Sequence, residues 1–80
     1  MDQASILEKL TGIFREVFDE PDLVLQPSTT ADDVPGWDSM NHITIVVEAE
    51  RQFGIKFRTS EIEELRNVGD FVNLIASKAA

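Results

Sequence analysis

"PGWDSMNHITIVVEAERQF", Pro35 to Phe53, decides how the chain is read. Pro35 and Gly36 close a loop, and apolar residues at helical spacing begin directly after Asp38-Ser39. The pattern predicts a helix from Ser39 to about Phe53, with Gly54 as its C-terminal stop. At about 100° per residue, His42, Ile45, Val46, Ala49 and Phe53 fall on one arc of that helix. Met40, Ile43 and Val47 fall on a second arc, well separated from the first. The first arc has the length of a core stripe. The second lies beside Ser39, and either packs beneath a loop or short helix or forms a docking patch.

Working outward, Ile6, Leu7, Leu10, Ile13, Phe14, Val17 and Phe18 recur at three- and four-residue steps between Ser5 and Phe18, which predicts a first helix. Pro21 ends that pattern. "DEPDLVLQPSTTADDVPGWD" follows, a stretch with three prolines that is long for a structureless loop in a small domain. Leu23, Val24, Leu25, Val34 and Trp37 are the residues expected to pin it to the core. Beyond the central helix, "IKF" makes a short extended link, and "SEIE", Ser60 to Glu63, fits a capping box that opens a short helix with Ile62 and Leu65. A last helix, capped near Asn67, carries Val68, Phe71, Val72, Leu74 and Ile75 inward. The expected fold is all-α: a small four-helix bundle, three main helices plus one short one, with a long first loop, and residues 1–80 as a single domain.

Composition narrows the function. With no cysteine there is no disulfide framework or thiolate metal site, and the single histidine, His42, argues against a zinc centre. Fifteen acids against seven bases give a net charge of -8, which opposes binding to a nucleic-acid backbone. "MDQASILEKL" has no basic segment leading into a long apolar run, and no stretch approaches membrane-spanning length. A soluble cytoplasmic domain, without membrane insertion, is the expectation.

Ser39 admits three readings. It is an N-cap, as serine and aspartate are both favoured before a helix. It is a nucleophile with His42, three residues on, as its base; but there is no Gly-x-Ser-x-Gly elbow, and His42 falls on the core-side arc. Or it carries a covalent group, since a phosphodiester at a helix N-terminus is favoured by unpaired N–H groups and the positive end of the dipole.

The chain resembles the acyl carrier protein family along essentially its whole length. "DSM", Asp38-Ser39-Met40, is close to the family's usual Asp-Ser-Leu, and opens a helix whose end, "EAERQFGIKF", is similar to the family's acidic-aromatic helix end and extended link. "DLVLQPSTTADDVPGWDS" looks like its long first loop, and "NVGDFVNLIASK" is similar to its final helix. The resemblance implies that Ser39 receives 4'-phosphopantetheine from coenzyme A through a phosphopantetheinyl transferase. The arm's thiol then holds an acyl or aminoacyl group as a thioester, so the chain is a carrier and not an enzyme. It further implies that Asp38 orients or helps recognise the modified serine, and that Met40, Ile43, Val47, Glu48 and Glu50 meet partner proteins. Those partners are an acyl- or aminoacyl-loading ligase and acyl-chain-modifying or acyltransferase enzymes, visited by a monomer.

The sequence departs from fatty-acid carriers at Asn41 and Thr44, where acids are expected, and at Arg51, which adds a positive charge. An Asp-Ser-Met motif also occurs in carriers of aminoacyl groups, D-alanine among them. A specialised discrete carrier serving a dedicated pathway is therefore expected. The competing reading is an unmodified helical module that binds proteins through the Met40, Ile43, Val47 face.

Overall fold

The computed structural model describes residues 2–79. Four helices follow one another: α1 (Gln3–Phe18), α2 (Ser39–Phe53), α3 (Thr59–Glu63) and α4 (Val68–Ala79), with a short 3-10 turn at Ala31–Asp33 inside the long first loop. The expected bundle is present, three main helices and one short one.

α1 starts two residues ahead of Ser5, where the sequence pattern begins, because Asp2 caps it: the Asp2 carboxylate accepts the Ser5 N–H at 2.8 Å. The helix ends ahead of Pro21, at Phe18, where Asp19 turns left-handed (φ 53°) and hands its N–H to the Arg15 carbonyl. α2 has the predicted bounds, and Gly54 stops it at φ 66°, a conformation that glycine adopts without a Cβ penalty.

The core draws on three helices and the loop. Ile6, Leu10, Ile13 and Phe14 come from α1, Ile45, Val46 and Ala49 from α2, and Val68, Phe71, Val72 and Ile75 from α4. Leu25, Val34 and Trp37 of the loop are buried with them, as expected, and Leu23 is half-buried. Val24 is not: the residue is 68% exposed, so it does not pin the loop. The loop is also fixed by its backbone. The Val68 N–H donates to the Thr29 carbonyl at 2.9 Å and the Gly69 N–H to the Pro27 carbonyl at 2.8 Å, beside an isolated bridge between Thr30 and Asn67. The long loop is thus moored to the first turn of α4, which satisfies backbone groups that a packed loop would otherwise leave unpaired.

The capping box expected at Ser60–Glu63 is displaced by two residues. Glu61 closes the start of α3, its carboxylate accepting the Arg58 N–H at 2.8 Å, and Ser60 lies inside the helix. Glu61 wins because its carboxylate also sits 3.0 Å from Lys78 Nζ on α4. Ile62 and Leu65 pack partly buried against the core, Leu65 just past the helix end. Asn67 caps α4 as expected, its side-chain oxygen accepting the Asp70 N–H at 2.8 Å.

Candidate functional site

The loop approaches α2 through a tight backbone path. Gly36 takes φ 88°, the Trp37 N–H donates to the Val34 carbonyl at 3.1 Å, and the Asp38 N–H to the Gly36 carbonyl at 2.9 Å. Asp38 then adopts extended dihedrals (φ -112°, ψ -173°) and caps the helix, its Oδ1 accepting the Asn41 N–H at 2.9 Å. Its own carbonyl accepts the His42 N–H at 2.8 Å, the first helical bond.

This geometry decides among the readings of Ser39. Asp38 is the N-cap and Ser39 the first helical residue, so the serine is not the cap. Ser39 is exposed, and among the described residues no hydrogen bond engages its Oγ. The His42 base is not available to it either. His42 Nδ1 accepts from Trp37 Nε1 at 3.1 Å, and the imidazole lies against the indole and edge-on to Phe71, half-buried as its arc implies. What remains at the head of a 15-residue helix is an unengaged hydroxyl beside the N–H groups of the first turn.

The second arc of α2 faces water. Met40 is 81% exposed, Ile43 51% and Val47 46%, so none of them is covered by the loop or by α3. Together they form an apolar strip beginning one residue after Ser39. The two acids expected beside it already have partners. Glu48 pairs with Arg51 at 2.8 Å, and the Glu50 carboxylate accepts the Phe57 N–H at 2.8 Å, which ties the link before α3 back to α2. Asn41, read from sequence only as a missing acid, has a structural role, because its Nδ2 donates to the Gly36 carbonyl at 2.6 Å. Nothing in local periodicity signals a bond between residues on either side of a helix start.

The family profile described as "Phosphopantetheine attachment site" matches residues 8–75. The chain belongs to the acyl carrier protein family. Acyl carrier proteins similar to it include that of Acidothermus cellulolyticus, 34% identical over 77 residues, covering 96% of this chain and 92% of the relative. That of Renibacterium salmoninarum is 38% identical over 81 residues, covering 96% and 99%. Among solved structures, the holo acyl carrier protein of Geobacter metallireducens superposes with a TM-score of 0.84 at 43% identity, covering 90% of this chain and 83% of that one.

As a member of the acyl carrier protein family, the chain is an acyl carrier with a covalent 4'-phosphopantetheine group. The start of α2 fits such a group, because a phosphodiester there requires an exposed hydroxyl and benefits from the uncompensated N–H groups of a helix head. When bound, the arm supplies a thiol, which a chain with no cysteine lacks.

Proposed function

We propose that Ser39 is the residue that takes up phosphopantetheine from coenzyme A, by way of a phosphopantetheinyl transferase, and that the strip Met40, Ile43, Val47 meets the enzymes that use the carrier. The observation that carries this reading is the division of labour at the helix start. Asp38 does the capping, and Ser39 is exposed with no hydrogen bond to its Oγ among the described residues. A serine held only for its cap would have its oxygen on a backbone N–H.

The protein's own contribution is display and recognition, not catalysis. Asp38 fixes the helix head, and the loop beneath it is anchored through Val34 and Trp37. The apolar strip offers partners a surface that needs no desolvation of charge, while Arg51 neutralises Glu48 at its flank. With Asn41 and Thr44 on that side of the helix as well, steering by acidic charge is weaker than in a fatty-acid carrier. This supports a specialised carrier, working as a cytoplasmic monomer with its own loading ligase and acyltransferase partners. No described helix is long and apolar enough to cross a membrane.

The test is intact mass after incubation of the native chain with coenzyme A and a broad-specificity transferase, alongside Ser39→Ala. A gain of one phosphopantetheine by the native chain and none by the variant is expected. Equal gain by a folded Ser39→Ala protein would move the attachment to another hydroxyl.

A further inference from the structure

Ser39 sits inside two staggered bridges, each joining residues five apart. In one, Asn41 Nδ2 donates to the Gly36 carbonyl at 2.6 Å; in the other, Trp37 Nε1 donates to His42 Nδ1 at 3.1 Å. Both span the join between loop and helix, and both enclose the serine. The second bridge is also tied into the core at each end. The Trp37 ring stands edge-on to Phe14 of α1 with centroids 5.0 Å apart, and the His42 ring edge-on to Phe71 of α4 at 6.4 Å. Among the described residues no hydrogen bond engages the Ser39 Oγ, so its placement is inherited from its neighbours. An imidazole that accepts at Nδ1 carries its proton on Nε2, so the bridge also selects one tautomer of His42.

We infer that Trp37 and His42 are positioning residues for the modification of Ser39: their hydrogen bond, with Asn41–Gly36 beside it, holds the 36–42 turn in the one conformation that presents the serine hydroxyl to the modifying enzyme. The inference rests on Ser39 being the attachment residue. Small misplacements of a reacting group reduce rates steeply, so a bond that fixes the turn acts on the rate of modification even where it adds little to global stability.

The experiment follows the initial rate of modification of the apo protein, with coenzyme A and a broad-specificity transferase, in Trp37→Phe, His42→Leu and His42→Asn. Trp37→Phe keeps an aromatic ring against Phe14 and removes the donor; His42→Leu removes the acceptor. His42→Asn places an amide oxygen close to the position of Nδ1, so it keeps the acceptor without the ring. Loss of one such bond predicts kcat about fivefold lower in Trp37→Phe and His42→Leu, at unchanged KM for coenzyme A. His42→Asn restores most of the rate, which a purely packing role for the ring does not allow. The second readout is independent of modification. The Trp37 indole proton, the only one of its kind in the chain, is shifted and protected from solvent exchange in the native protein and in His42→Asn, and moves to a solvent-like position in His42→Leu.

Folded Trp37→Phe and His42→Leu proteins modified at the native rate would overturn the inference and leave Ser39 as the attachment residue. So would an indole proton that exchanges freely in the native protein. A native chain that gains no phosphopantetheine overturns both readings, while the indole signal still reports whether the bridge forms. Should His42→Leu fail to fold, Trp37→Phe and His42→Asn carry the comparison.

Discussion

An aspartate at the head of α2 accepts the Asn41 N–H and places a negative charge at the positive end of the helix, so Asp38 contributes to stability apart from any part in recognition. Asp38→Ala removes both effects and is expected to lower stability by about 1 kcal/mol, read from urea denaturation at unchanged m-value. Asp38→Asn caps nearly as well and is expected to stay within a few tenths of native. If that variant is as stable as native but is modified more slowly, the transferase reads the carboxylate and not only the cap. At this scale the sequence was half legible. The pair Asp38-Ser39 marks a helix start, but both residue types are favoured caps. The choice between them lies in backbone dihedrals, with Asp38 extended and Ser39 already helical. Asn41 was less legible still, because its partner is a main-chain carbonyl that no side-chain pattern reports.

The elements α1, α2 and α4 could be read from periodicity because each buries one stripe, and Gly54 and Asn67 mark boundaries by chemistry that acts within a few residues. α3 is where local reading failed. "RTSEIEE" offers more than one register for a capping glutamate, and the choice falls to Glu61 through Lys78, distant in sequence. The Arg58 N–H first, and then Lys78, hold the Glu61 carboxyl below its ordinary value of 4.5. A lowered folded pKa means that this contribution is complete above the unfolded value and fades as pH falls through the folded one. Carbon-detected titration of Glu61 is therefore expected to show a midpoint below 4.5, which moves up toward it in Lys78→Ala. Loop and α4 meet just as closely at Gly69, where an added Cβ would stand 2.9 Å from the Pro27 carbonyl oxygen. Backbone cannot yield as a flexible side chain can, so Gly69→Ala is expected to cost about 1–3 kcal/mol, with amide-exchange protection lost first at Val68 and Gly69.

Across the whole molecule the net charge is -8, while among the described residues three ion pairs join acids to bases: Glu48–Arg51, Asp70–Arg66 and Glu61–Lys78. Most acids therefore face water with no cation in contact, and their mutual repulsion opposes the compact state. Raising ionic strength from about 0.01 M to 0.15 M shortens the screening length from about 30 to 8 Å. The melting temperature is expected to rise by roughly several degrees over that range, on the scale of about 4–8 °C per kcal/mol for a domain this size. A flat or falling trend by circular dichroism would show that the charges are already spaced widely enough not to matter. The mooring of Pro27 and Thr29 to Val68 and Gly69 bears on the order of events during synthesis. A ribosome that has delivered α1, the loop and α2 has not yet delivered the residues to which that stretch of loop is tied. Until Asn67 to Gly69 clear the exit tunnel, the carbonyls of Pro27 and Thr29 lack the N–H groups that hold them, while Phe14 and His42, which Trp37 meets nearer the serine, are already made.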